Sequence, residues 1–255
     1  MRKFMLCIAL TVCGLALTPQ RMFAQDEDVP AGKNIVKLNV AAIGLKNLSA
    51  QYERILNKKL SIGVGLRYMP MTQLPFKATL QDKVLKQYEG WQSYGDIKFD
   101  LSNYAVTPEF RYYFGRGYGR GLYLASFVRY ARYTVNSEVH YDVTYKGQQF
   151  AETIPVNGNF TTITGGLMLG AQWKLYKSLY LDWWILGPQY GAVNGTFIGT
   201  RNLDNDEQEA VRIAANQYDI PYMNKSVEVS SSGMRLTVNG PWTGVRAGLC
   251  LGIRF

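Results

Sequence analysis

Residues 241–255 read PWTGVRAGLCLGIRF, and they alternate without a break. Val245, Ala247, Leu249, Leu251, Ile253 and Phe255 fall on one face. Gly244, Arg246, Gly248, Cys250, Gly252 and Arg254 fall on the other. A period of two is that of a β-strand with two unlike surroundings. In a soluble sandwich the second face meets water and carries Thr, Lys, Glu or Ser. Here it carries glycine and arginine, which suits a crowded polar interior behind an apolar, lipid-facing exterior. The stretch therefore predicts the closing strand of a transmembrane β-barrel.

Working outward, the same pattern recurs. Strands are predicted at 34–43, 48–56, 60–69, 105–114, 122–134, 161–175, 179–187 and 242–255. Eight is even, as a closed single-chain barrel requires. With the first strand entering from the periplasm, the turns at 57–59, 115–121 and 176–178 fall on that side and are short. The connections at 70–104, 136–160 and 191–240 fall outside and are long, the asymmetry of an outer-membrane barrel. A lipocalin-like soluble barrel has no reason for it and would turn its apolar alternation inward. The fold class expected is all-β: an eight-stranded antiparallel transmembrane β-barrel with long extracellular loops and one short loop helix. The link at 44–47 is the doubtful join. If 34–56 were one bent strand, an extra strand from 227–238 would be needed.

Some details follow from local chemistry. Pro108 lacks a ladder donor, so a bulge is expected there. The glycine-rich GRGYGRG at 115–121 precedes a strand, not a helix, and so reads as a turn and not a phosphate cradle. Residues 136–160 read as a hairpin standing above the membrane, turning at Lys146-Gly147. Residues 204–217 are helical in character, with acids placed for a capping box. Two short strands are expected around Ser232-Gly233.

The N-terminus reads as a secretory signal: Arg2 and Lys3, an apolar run from Met5 to Leu17, and an abrupt acidic start at Asp26. The expected organisation is a removed signal at 1–25, a short segment at 26–33 and the barrel at 34–255. Lipidation at Cys13 is the minor alternative, since Val12 is bulky and apolar sequence continues. Losing Arg2, Lys3 and Arg21 takes the formal charge from +9 to +6 and leaves Cys250 as the one cysteine. No disulfide framework is then available. Scattered arginine without a Lys/Arg block argues for a barrel lumen and an anionic lipopolysaccharide surface, not for nucleic acid.

At this point the chain resembles a Bacteroidetes-type family of small outer-membrane β-barrels classed as a domain of unknown function. The matching stretches are IVKLN at 35, LSAQYERILNKKLSIGVGLRYMP from 48, VTPEFRYYFGRGYGRGLYLASFVRYARY from 106 and GPWTGVRAGLCLGIRF from 240. The resemblance implies fold and location, with an architecture similar to the OmpA and OmpX barrels, and implies no activity.

Candidate chemistry lies in three places. By parity the lumen receives Lys37, Glu53, Arg67, Glu109, Arg111, Arg129, Lys174, Asp182, Arg246 and Arg254. An eight-stranded barrel is only wide enough for side chains to fill. A paired network plugging the lumen is expected, with a narrow anion path as the lesser reading. For catalysis, the single His140 lies near Ser137, Glu138 and Asp142, but on an external hairpin; no catalytic residue, cofactor or metal site is expected. Asp204, Asp206, Glu207 and Glu209 lack calcium-loop spacing. The third place is the loops, where Tyr88, Trp91, Tyr94, Phe99, Tyr104, Tyr141, Tyr145, Phe197, Tyr218 and Tyr222 either recognise a surface ligand or cap the barrel. The terminal Leu251, Ile253 and Phe255 resemble the signal read by barrel-assembly machinery. Expected partners are that machinery, outer-membrane lipid and lipopolysaccharide, and an external ligand of unknown kind. The function expected is structural or recognition, with a narrow pore, a receptor or adhesin as alternatives and a lipid A-modifying enzyme last.

Overall fold

The computed structural model describes residues 32–73, 99–217 and 222–255. Among these, nine strands form one antiparallel sheet: β1 (Asn34–Asn39), β2 (Leu48–Ile55), β3 (Leu60–Gln73), β4 (Phe99–Tyr113), β5 (Gly121–Tyr145), β6 (Gln148–Tyr176), β7 (Leu179–Thr200), β8 (Asn224–Ser230) and β9 (Gly233–Arg254). Neighbours in sequence pair in order through β7, which then pairs with β9. β9 in turn pairs with β1, from Ile35↔Arg254 to Asn39↔Cys250. Backbone bonds between Asn34 and Phe255, at 3.0 and 2.9 Å, finish the seam. Eight strands therefore close a ring, and closure removes the sheet edges. β8 stands outside the ring as a hairpin partner of β9.

The faces follow the sequence alternation. From Val245 through the end of β9 to Phe255 just after it, every residue lies on the side its parity predicts, with Ile253 and Phe255 about 60% exposed and Arg246, Cys250 and Arg254 buried. On β3, Ile62, Val64, Leu66 and Tyr68 point out and Ser61 and Gly65 point in. The exterior is an apolar band with aromatic rims. Tyr68, Tyr104, Tyr130 and Tyr190 ring one end; Tyr112, Phe114, Trp173 and Tyr176 ring the other. Tyr104 to Phe114 is about 34 Å of strand, which at a tilt of ~40° rises ~26 Å, the height of a membrane barrel's apolar belt.

Several expectations are corrected. β1 ends at Asn39, not at 43. Val40–Ile43 is a single helical turn, α1, because the Asn39 side chain caps it by accepting from the Ala42 amide at 3.1 Å. The 34–56 stretch is thus two strands. No bulge forms at Pro108: Val106↔Tyr130 and Glu109↔Phe127 keep one register, and the ladder merely skips the missing donor. A bulge does occur in β7, where Trp184 pairs with Gly248 but Gly187 with Arg246. Unbroken alternation over 179–187 puts Leu181, Trp183 and Ile185 outward, but Ile185 sits in the bulge half-buried, and Leu186 takes the outward place. Past that point the parity of β7 is reversed.

The strands also outrun the predicted spans. β5, β6, β7 and β9 continue well beyond the aromatic rim, so the expected hairpin at 136–160 and much of 191–240 join in a β-structured crown. Helix α2 (Asn205–Gln217) packs on it. Leu203, Ala210, Val211 and Ala214 meet Tyr141, Val143, Phe150, Ile154 and Val156 in a separate apolar core. The capping box forms as expected: the Glu207 amide donates to Asp204 Oδ1 and the Asp204 amide donates to Glu207 Oε2, each at 2.8 Å. Removing this cap in Asp204→Ala costs about 1 kcal/mol, so amide exchange across α2 should quicken ~5-fold with the barrel unaffected. Residues 74–98 of the first long connection lie outside the described residues.

Candidate functional site: the charged lumen

The lumen is stratified. At its middle, Lys37 of β1 and Arg111 of β4 meet Glu53 of β2 and Asp182 of β7, all fully buried. Lys37 Nζ donates to Glu53 Oε2, to Asp182 Oδ2 at 2.6 Å and to Gln172 Oε1 at 2.5 Å. Arg111 Nη1 donates to Asp182 Oδ2 at 2.8 Å, its Nη2 to Gln51 Oε1 at 2.8 Å and its Nε to Glu109. Neutral groups fill the remaining carboxylate lone pairs. Tyr113 and Ser61 donate to Glu53, Tyr123 to Asp182 at 2.8 Å and Trp184 Nε1 to Asp182 at 3.2 Å. Arg246 completes the set, 3.6 Å from Glu109 and lying over the rings of Phe127 and Trp184 at 4.4 and 4.9 Å. Three cations, Lys37, Arg111 and Arg246, thus face three carboxylates, Glu53, Glu109 and Asp182. Burying charge is tolerable only when it is paired and hydrogen-bonded, and Lys37, Arg111, Glu53 and Asp182 meet both conditions.

The glycines of the inward face of β9 explain how so much fits. A Cβ at Gly252 would lie 2.8 Å from Lys37 Cγ, and one at Gly248 would lie 2.4 Å from Asn39 Nδ2 and 3.1 Å from Trp184. Long side chains cross the lumen because the wall opposite is bare backbone.

Below this layer, towards the short turns, Arg254 donates to the carbonyls of Gly32 (3.1 Å) and Tyr118 and lies over the Tyr180 ring. Gln172 Nε2 donates to the Gly119 carbonyl at 2.7 Å. The 115–121 turn, with positive φ at Gly117, Tyr118 and Gly119, is thus tucked under the network and closes that end. Above it lie Arg67, whose Nε donates to Asn47 Oδ1 at 2.8 Å, and Arg129. Higher still, Tyr133, Phe160 and Trp242 form an aromatic cluster on the inner wall, with Tyr133 and Phe160 stacked at 4.5 Å.

Of the ten charged residues placed in the lumen by parity, six meet in the network. Arg67 and Arg129 lie above it and Arg254 below. Lys174 is corrected: it has the inward parity, but it stands exposed at the short-turn mouth, where a register shift between Lys174 and Tyr176 loosens the ladder. Parity also placed Gln172 and Tyr113 inward, but counting charges passed over the neutral partners Gln51, Ser61, Tyr113, Tyr123, Gln172 and Trp184. Their signal was hydrogen-bonding capacity at inward positions.

A family model described as "Protein of unknown function (DUF3575)" matches residues 8–190 of the chain. The chain belongs to the DUF3575 family. The match ends at Tyr190, so the 240–255 ending falls beyond it, whereas the other quoted stretches lie within it. No curated protein matches. Among solved structures, the chain is similar to CarO2 of Acinetobacter baumannii at 14% identity, covering 83% of this chain and 98% of that one with a TM-score of 0.36. It is also similar to a major outer membrane protein of Thermus thermophilus at 13% identity, covering 88% and 100% with a TM-score of 0.42. A third is the N-terminal β-barrel domain of Pseudomonas aeruginosa OprF, at 7% identity, covering 88% and 98% with a TM-score of 0.27.

The crown of this DUF3575 barrel holds the other candidates. His140 lies 3.1 Å from Thr153 Oγ1 and shares the outer face of the hairpin with Glu138 and Asp142. Ser137 has the opposite parity and does not face the imidazole; the hydroxyl beside the ring is that of Thr153, the partner of His140 across the hairpin. The acids of α2 are spent on structure. Asp204 caps the helix, Asp206 meets Lys146 at 2.7 Å and Glu209 meets Arg212. Arg201 joins Glu152 at 2.9 Å to Glu207 at 3.5 Å and holds the Glu152 carboxyl below its usual pKa through that hydrogen bond. No cluster of three or more His, Cys, Asp or Glu able to hold a metal occurs among the described residues. The loop aromatics divide. Tyr141 is buried, Tyr145 and Phe197 pack half-buried against the crown core, Phe99 is half-buried, and Tyr104 and Tyr222 are exposed. Tyr88, Trp91, Tyr94 and Tyr218 lie outside the described residues.

Proposed function

We propose that this DUF3575 protein is an integral outer-membrane barrel with a sealed lumen, whose role is structural or one of surface recognition through its crown. The observation that carries the reading is the inversion of the usual arrangement: a paired ion network inside and an apolar, aromatic-rimmed band outside. The short turns then face the periplasm and the crown faces outward. Just above the Tyr130 and Tyr190 rim the outward face becomes polar, with a shallow groove of about 210 Å³ lined by Arg132, Asn159, Thr161, Asn194, Thr196 and Thr237. That is the depth of lipid headgroups and lipopolysaccharide sugars, which we assign as its contacts. Leu251, Ile253 and Phe255, outward on β9, are assigned to recognition by the assembly machinery. The reading has no catalytic residue or cofactor.

The test is a gel of the outer-membrane fraction run boiled and unboiled, followed by planar-bilayer recording of the extracted protein. A faster unboiled band and no steady conductance are expected. A soluble protein without a shift would overturn the membrane barrel, and stable conducting steps would overturn the sealed lumen.

A further inference from the structure

The network at mid-lumen is balanced, but the space above it is not. Arg67 and Arg129 have no carboxylate partner among the described residues. The charged groups acting on Arg129 are the guanidiniums of Arg67 and Arg246, together with the hydroxyl of Tyr133, to which Arg129 donates. Like charges are held together here, and among the described residues they meet only neutral acceptors, Asn47 Oδ1 on Arg67 and the Tyr133 hydroxyl on Arg129.

The register shows how they converge. Along one inward row run Gln51, Gly65 and Thr107 on β2, β3 and β4, and the row continues across β5 with Arg129 and β6 with Thr164. One step towards the crown run Ser49, Arg67, Ala105, Ala131 and Thr162. Between Arg67 and Arg129 the wall carries only Gly65, Ala105, Thr107 and Ala131, all small. A Cβ on Gly65 would meet nothing nearer than Thr107 at 3.7 Å, so the wall here is not crowded. Arg246 arrives from the far wall, placed by its contact with Phe127, which is two residues before Arg129.

Two donors at this level are left unspent, and so is one acceptor, Glu109 Oε2, which faces Arg246 Nη2 at 3.6 Å. Arg246 Nη1 and Gln51 Nε2 are buried without a hydrogen-bond partner, on residues 7% and 3% exposed. Buried donors normally find partners, and each orphan marks a missing group. Arg246 Nη1 and Gln51 Nε2 lack an acceptor, and the surplus of arginine over acid among the described residues favours a negative one.

We propose that the outer half of the lumen is a binding site for a small dianionic oxyanion of the phosphate class, held by Arg67, Arg129 and Arg246 with Gln51. Two surplus arginines match a doubly charged ligand, and guanidinium forks suit tetrahedral oxygens. The way in is from the crown, past Tyr133, Phe160 and Trp242. Lipid phosphates stay on the other side of the sheet, so the ligand is a soluble one. The inference concerns a vestibule above the seal and holds whatever the crown itself recognises.

The test uses the whole barrel in detergent, with inorganic phosphate as the probe and sodium chloride at equal ionic strength as the control. Phosphate should raise the melting temperature saturably, as a ligand of the folded state does. Arg129→Gln and Arg67→Gln should each weaken phosphate binding about 10-fold or more, the worth of a charge-assisted contact. Without phosphate both variants should melt at or above the wild-type temperature, because a repulsion has been removed; a purely structural arginine would show a loss. An equal response to chloride, or wild-type phosphate affinity in both variants, would overturn the site.

Discussion

Glu53→Ala should lower the stability of the barrel by about 3–5 kcal/mol, the usual cost of breaking a buried pair from one side. The Glu53 carboxylate accepts from Lys37, Arg111, Ser61 and Tyr113. Truncation leaves Ser61 and Tyr113 without that acceptor and leaves two buried cations, Lys37 and Arg111, sharing Asp182 and Glu109. Asp182 cannot compensate, because Lys37, Arg111, Tyr123 and Trp184 already occupy it. The measurement is the temperature at which the fast-migrating unboiled form converts to the slow one, with a urea titration alongside. A second variant separates charge from cavity. Glu53→Gln keeps the shape, and combining it with Lys37→Met removes one charge of each sign. The double variant should recover most of the loss if charge balance governs, since an apolar replacement of a whole pair is often neutral. A melting curve unchanged by Glu53→Ala would mean the network does not hold the barrel together.

Val64→Arg should cost about 2–4 kcal/mol and impair assembly, the penalty for arginine on the lipid face near mid-bilayer. Val64 points outward in the middle of β3, with Tyr68 near the crown rim and Leu60 near the turn end. Its ladder neighbours are Tyr52 and Pro108, both outward. The control is depth: Asn136→Arg, outward on β5 beyond the aromatic rim, should cost close to nothing. Folding yield into bilayers and urea midpoints would give both numbers. Equal tolerance of arginine at the two positions would mean that no membrane surrounds the band.

What the sequence settled by itself concerns the wall. Inward and outward residues, the eight-strand ring, the short turns, the crown hairpin and the capped helix all followed from period two, turn chemistry and cap chemistry. These signals are local, and a strand's parity does not depend on its partners. Where local reasoning failed, a neighbour intervened. The Asn39 cap ended β1 early because it offered the backbone a better bond than the ladder. Pro108 needed no bulge, because one absent donor can be skipped. The β7 bulge between Trp184 and Gly187 left no composition signal, yet it reversed the faces of everything after it and so decided which of Ile185 and Leu186 met the lumen.

Only the tertiary structure decided which inward charges meet. Lys37 is 16 residues from Glu53 but 145 from Asp182, and Arg111 is 71 from Asp182. Those pairs are brought together by ring closure and by the stagger between strands, neither of which is written in any one strand. The same closure left Arg67 and Arg129 above the network, with no acid beside them among the described residues, and put Lys174 at the mouth. Parity is a property of the chain and could be read from it. Depth along the barrel axis is a property of the closed sheet, and pairing across the lumen depends on depth.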